Sequence, residues 1–283
     1  MPGMKLGIFG LNMKVAIAPD VTARLAARCE ELGYESWWAG EHIVLPSPRV
    51  PPSPMEPDDD CLEPLVHLAF VAAATQRLVL GTGIIIVPQR NPLVLAKQVV
   101  SLDRLSGGRF QLGIGVGYLE PELNALGVTL AERASRTDDA IAAMRAIWYD
   151  TAPVSFHGAH TSFDGLDAHP RPLGTIPIVV GGHTPAAHRR AVEQGHGWYG
   201  FHLSPEQAAA NLAGLASVDA DRPTELGELE ISVTPNRRLT PGSVAAYAAA
   251  GVHRLIVSTA GLDDATAIAG FAEDQLAAVT AAA

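Results

Sequence analysis

The sequence predicts a (β/α)8 barrel, a TIM-barrel α/β fold. Three observations carry that expectation: eight short apolar runs, a helical pattern after each, and a chain that ends on a helix at about 262–280. The runs are "KLGIFG" (5–10), "SWWAG" (36–40), "RLVLGTG" (77–83), "FQLGIG" (110–115), "IPIVVGG" (176–182), "GWYGF" (197–201), "ELEISVT" (228–234) and "RLIVST" (254–259). Most are near-continuous rather than alternating, as parallel strands are when helices cover both faces. An open doubly wound sheet is the main rival, and the number of units favours the barrel.

The helices announce themselves by stripe and by cap. Val21, Leu25, Cys29 and Leu32 fall on one helical face, and Gly33 stands where a C′ glycine ends a helix. Asn91-Pro92, Thr184-Pro185, Ser204-Pro205 and Thr240-Pro241 each pair a capping side chain with a proline at the first helical position. The cap oxygen accepts an orphan amide, and proline lacks the amide that would go unsatisfied. "SPEQ" (204–207) also fits a capping box closed by Gln207. Two stretches exceed ordinary connections. Residues 43–62 are Pro-rich and acidic, leave the second strand, and are expected to form a lid or substrate wall. Residues 151–175 contain "VSFHGAHTSF", which reads as a hairpin inserted before the fifth strand. The whole of 1–283 is read as one domain.

Composition narrows the function. The chain is 48% hydrophobic and 18% charged, enough for a large core. A net charge of −10 argues against nucleic acid or an anionic membrane as a general partner. The first residues lack the basic and apolar regions of a signal peptide, and no stretch has the length of a membrane span. With two cysteines, Cys29 and Cys61, and no CxxC, the chain reads as a cytoplasmic protein with reduced thiols. The ten histidines include no HExxH, and His157 and His160 alone make no metal spacing, so no metal is expected. No GxSxG is present, and Lys5, Lys14 and Lys97 do not end barrel strands, which disfavours a Schiff-base enzyme.

Barrel active sites form where strands end. After the fifth strand, Gly181-Gly182 precede a helix N-terminus; bare backbone, free amides and the helix dipole suit a phosphate, and a tight turn needing positive φ is the alternative. After the second strand come Glu41 and His42, the latter able to exchange a proton near neutral pH. Gly81 and Gly83 within the third strand suggest a bulge or close packing. Beyond the fourth strand lie Tyr118, Glu120 and Glu122; the two acids are read as helix-start or solvated groups before they are read as catalysts.

Three stretches then carry a resemblance: "EELGYESWWAGEHIVLP", "LVLGTGIIIVPQRNPLVLAKQVVSLDRLSGGRFQLGIGVGYLEPELNALG" and "IPIVVGGHTPAAHRRAVEQGHGWYG". Over roughly 4–260 the chain resembles the luciferase-like monooxygenase superfamily, and within it the actinobacterial oxidoreductases that use the deazaflavin coenzyme F420. The resemblance implies a TIM barrel, often a homodimer, with the ring in the mouth. It implies a phosphate held by Gly181, Gly182 and the neighbourhood of Gly200 and Phe201, with His183 beside them. It implies a third-strand bulge backing the ring at Thr82, Gly83 and Ile84, through a non-proline cis peptide at Gly83-Ile84. Glu41 and His42 are expected to approach the reacting side, Glu41 also touching the cofactor. Tyr118 stands where relatives that oxidise a sugar phosphate place a glutamate, so it is expected to bond the substrate and that activity is put in doubt. The implied reaction is hydride transfer between F420 and a small organic substrate. The alternatives are an FMN-dependent monooxygenase, a phosphosugar isomerase on the same scaffold, and a non-catalytic deazaflavin or flavin carrier.

Overall fold

Eight strands close into a parallel barrel in the computed structural model, which describes residues 3–282. They are β1 (Lys5–Phe9), β2 (Ser36–Ala39), β3 (Val79–Thr82), β5 (Phe110–Gly115), β8 (Ile178–Gly181), β9 (Gly197–Leu203), β10 (Glu230–Pro235) and β11 (Arg254–Ser258). Neighbours pair in that order, and β1 closes the ring on β11 with Lys5 opposite Arg254 and Phe9 opposite Ser258. The third strand is broken: after Thr82 the Gly83–Ile84 peptide is cis, and a short continuation, β4 (Ile85–Ile86), resumes pairing with β5. A separate antiparallel ribbon, β6 (Val154–His157) with β7 (Ser162–Leu166), occupies the expected hairpin.

The helices are α1 (Pro19–Leu32), α2 (Pro64–Ala74), α3 (Pro92–Ser106), α4 (Glu120–Ala125), α5 (Arg133–Tyr149), α6 (Pro185–Gln194), α7 (Pro205–Ala216), α8 (Pro241–Ala250) and α9 (Ala265–Thr280). The capping residues act as the sequence indicates. Asn91 accepts from the Leu93 and Val94 amides, Thr184 from Ala187, and Ser204 closes a capping box with Gln207. Thr240 closes a second box with Ser243. Gly33 ends α1 at φ 90°. The short α4 has no counterpart in the eight-unit reading, and it delivers a residue to the mouth. Among the described residues no helix is long and apolar enough to cross a membrane.

Inside the barrel the lower layer is polar and fully paired. Arg254, wholly buried, donates to both Glu35 oxygens at 2.8 Å and to Glu230 at 2.8 Å, and its guanidinium lies 5.5 Å from the Trp38 ring. The next layer is Phe9, Trp38, Val179, Tyr199 and Ile256, with Ile84 and Met13 packed on it from the mouth side. Gly81 is required here by close packing, since a Cβ would stand 2.4 Å from the Trp38 ring. The barrel is thus a filled core whose upper aromatic layer forms the floor of the mouth.

Candidate active site at the barrel mouth

At the end of β2, Glu41 turns away from the open mouth. Its side chain is fully buried, its Oε2 accepts from the Ile86 amide at 2.6 Å, and its Oε1 pairs with Arg90 Nη2. Arg90 also donates to Glu63 at 2.8 Å, and Glu63 caps α2 by accepting from the Val66 amide. Burial pushes the Glu41 carboxyl up, opposed by the Arg90 guanidinium and the Ile86 amide. Burial likewise works against the Arg90 charge, but Glu41 and Glu63 together hold its pKa above the ordinary value. The carboxylate expected at the reacting side is therefore placed as a brace beneath the broken third strand.

His42 is the member of the pair that reaches the mouth. Its Nδ1 lies 2.8 Å from Glu122 Oε2, and the other Glu122 oxygen accepts from the Ile43 amide at 2.6 Å. Glu122 comes from α4 and its side chain is wholly buried, so it is neither a solvated group nor a free helix-start acid. Among the described residues His42 Nε2 has no hydrogen-bond partner, and it is not sealed from solvent. Tyr118, half exposed, sets its ring edge-on to His42 at 6.2 Å. Burial and then the Glu122 charge raise its phenol, which keeps the hydroxyl protonated near neutral pH. Glu120 is exposed at the start of α4.

The 43–62 loop is folded back on the loop after β1. Buried Asn12 donates to Gly40 O at 2.9 Å and Leu62 O at 2.8 Å, the Lys14 amide donates to Asp60 O, and Met13 bridges Cys61. Within the loop, Arg49 pairs with Glu56 and donates to Ser53 O. Ile43 and Val44 present apolar side chains to solvent.

Across the mouth, the glycine turn has two separate reasons to be bare. Gly182 sits at φ 123°, a conformation L side chains rarely adopt, while a Cβ on Gly181 would come within 2.9 Å of Ile84 Cγ2. The space at Gly181 thus goes to the side chain thrown forward by the third-strand break. The free backbone lies one step later: among the described residues no protein acceptor meets the amides of His183 and Thr184, which precede the dipole of α6. His183 Nε2 accepts from the Phe201 amide at 3.1 Å and so ties the turn after β8 to β9. Burial, helped by His188, lowers the His183 pKa and keeps it the neutral acceptor this bond requires. At Gly200 a Cβ would strike the Trp198 ring, and Thr82, buried, donates to Gly113 O at 2.7 Å. Phe201 is 41% exposed, its ring 5.3 Å from Phe9, beside His202 at a left-handed φ of 61°.

Sequence reasoning singled out His42, Tyr118, Ile84 and the glycine turn; of the two partners that organise them it named Glu122 only as a helix-start or solvated acid and did not name Arg90. Arg90 had a visible signal, a lone arginine beside the Asn91-Pro92 cap; Glu122 had none beyond its charge.

Comparison with known proteins adds the following. A family model described as luciferase-like monooxygenase matches residues 4–282. An uncharacterized protein of Mycobacterium tuberculosis is 32% identical over 187 residues, 63% of this chain and 65% of that protein, so the match spans just under two thirds of the relative. The F420-dependent glucose-6-phosphate dehydrogenase of Kineococcus radiotolerans is 32% identical over 185 residues, 64% of this chain and 52% of the enzyme. A solved F420-dependent secondary alcohol dehydrogenase superposes with a TM-score of 0.79 at 15% identity, covering 99% of both chains, a likeness of fold. With the family match running nearly end to end over a closed parallel barrel, the chain belongs to the luciferase-like monooxygenase family.

Proposed function

We propose that the protein is an oxidoreductase that transfers a hydride between coenzyme F420 and a small organic substrate. One observation carries the reading: His42, Ile84 and the amides at the start of α6, which meet no protein acceptor among the described residues, all stand at the ends of barrel strands. These residues fit the group. Ile84, partly buried over an aromatic floor, would back the ring, and the His183 and Thr184 amides would hold the phosphate with the α6 dipole behind them. When bound, the deazaflavin supplies the hydride acceptor or donor. His42 would take up or supply the accompanying proton through Nε2, and Tyr118 would orient the substrate by its hydroxyl. Glu41, Thr82 and Gly200 serve from beneath, by fixing the strand ends.

The substrate class follows from what lines the entrance. Ile43 and Val44 on the loop leaving β2, Tyr118 just past β5 and Phe201 near the end of β9 present large exposed side chains. Of the cations around the entrance, Lys14 pairs with Asp263 and Arg49 with Glu56, whereas Arg237 and Arg238, just past the end of β10, pair with no carboxylate among the described residues. That wall suits a molecule with apolar surface. The relatives' printed F420 dependence supports the cofactor. The family's own description favours one second reading, an FMN-dependent monooxygenase. Fluorescence titration of the protein with F420 and separately with FMN tests the pair. Micromolar binding of F420 with much weaker FMN is expected; preference for FMN, with oxygen uptake on reduction, overturns the first reading.

The expected homodimer has a candidate face. Helix α2 contains no Asp, Glu, Lys or Arg and exposes Val66 (69%) and Phe70 (45%), with Leu62 beside them. A helix apolar on its outer side is one that something covers, and a second copy across α2 is the proposed cover. Sedimentation of the wild type against Val66→Asp/Phe70→Asp checks it: a dimer turned monomer is expected, and an unchanged state refutes the face.

A further inference from the structure

We infer that Glu122 is a positioning residue with two linked tasks: it sets the tautomer of His42 and latches the start of the 43–62 loop to α4. The inference rests on the reading of His42 as the proton-handling group. Glu122 is a fully buried carboxylate, and among the described residues no Lys or Arg pairs with it. Its partners are two groups that adjoin in the chain, the His42 ring and the Ile43 amide, one on each oxygen. Burying an ionised carboxylate without compensation is costly, so both bonds are needed to keep it there. An ionised carboxylate has only acceptor sites. The Ile43 amide can only donate, and His42 Nδ1, facing the second oxygen at 2.8 Å, must then carry the ring proton. The neutral ring is thereby fixed as the Nδ1–H form, with the lone pair of Nε2 left towards the mouth, where no group of the described residues meets it.

The same geometry joins loop and chemistry. Ile43 opens the loop that walls the mouth, and its amide is held by the very carboxylate that orients His42. Release of that carboxylate would free the loop start and the ring together. Tyr118, two residues before α4, packs its edge on the His42 ring, so α4 and the turn before it steer His42 from two sides.

The test uses the cofactor-free protein with ring-labelled histidine. Long-range proton–nitrogen correlation at neutral pH is expected to show His42 protonated at Nδ1 and bare at Nε2. In Glu122→Gln the amide oxygen can still accept from Ile43, but its NH2 group faces His42 and donates, so the ring is expected to invert to the Nε2–H form. In Glu122→Ala the Ile43 amide is expected to exchange with solvent about tenfold faster, the loss of one hydrogen bond, while in Glu122→Gln it stays protected. A wild-type ring protonated at Nε2, or a tautomer unchanged in Glu122→Gln, overturns the inference. The F420 reading fails separately: inversion in Glu122→Gln together with no F420 binding by the wild type supports the positioning role and refutes the cofactor.

Discussion

If Glu41 is a brace and not a catalyst, its removal should be felt first in stability, and Arg90→Met is the informative perturbation. It leaves the fully buried Glu41 side chain with the Ile86 amide alone, while Glu63, 28% exposed, recovers solvent. Breaking a buried pair from one side costs about 3–5 kcal/mol, because a charge remains in a place chosen for a pair. With Glu63 largely indifferent, about 3 kcal/mol is expected. Glu41→Gln is milder, about 1–2 kcal/mol: the amide oxygen can still accept from Ile86, and Arg90 keeps Glu63. The combination decides the matter. Glu41→Gln/Arg90→Met carries no stranded charge, so it should be more stable than Arg90→Met alone, a non-additivity of the kind a coupled pair shows. The pH dependence has a definite sign. With Arg90 gone, only the Ile86 amide opposes burial, and the folded pKa of Glu41 rises further above the unfolded value. Such a group stabilises at low pH and loses that contribution as pH rises through the folded pKa, so the deficit of Arg90→Met should shrink between pH 7 and pH 5. Urea unfolding followed by tryptophan emission measures all four proteins. A double variant less stable than Arg90→Met, or a single deficit under about 1 kcal/mol, would refute the brace.

Three further outcomes are expected. His42→Ala should lower turnover far more than F420 affinity, and equal kcat with a competent substrate would remove His42 from the chemistry. Gly182→Ala forces a side chain into φ 123° and to within 2.9 Å of the Ala187 Cβ, so it should cost about 1–3 kcal/mol in stability and weaken cofactor binding, both read from one thermal-shift titration; an unchanged Tm would mean the turn relaxes freely. His67 is buried and accepts from Trp37 Nε1 at 3.1 Å, and burial lowers its pKa to about 4. The unfolded chain therefore takes up that proton first as pH falls below 6.5, and stability is lost progressively from 6.5 to 4, by about 3 kcal/mol in all. Urea midpoints across that range should fall more gently in His67→Gln; equal slopes would assign the acid loss elsewhere.

How much of this was legible in the sequence depends on the reach of each signal. Strands and caps are local. The run "FQLGIG" is β5 to the residue, and Asn91, Thr184 and Ser204 cap helices because the amides they serve lie two or three residues on. The barrel followed because eight local units admit few closed arrangements. Strand three departed from its run, ending at Thr82 and resuming at Ile85; the glycine at 83 marked the place without giving the direction.

The site was legible as positions but not as partnerships. Glu41 and His42 adjoin in sequence and carry the groups a proton transfer wants, which made a catalytic pair the natural reading. Their side chains point oppositely as the chain leaves β2. One is claimed by Arg90, forty-nine residues on, and the other by Glu122, eighty residues on. Neither separation is set by helical or strand periodicity; each is fixed only when β2, β3 and β5 lie side by side and α4 folds over the end of β5. The two buried carboxylates then divide by their counter-groups. Glu41 faces a permanent cation and a backbone amide, partners that do not change state near neutral pH, and such a group can only hold. Glu122 faces an imidazole whose other ring nitrogen meets no partner among the described residues, so a buried acid held by that ring is bound to whatever the imidazole meets.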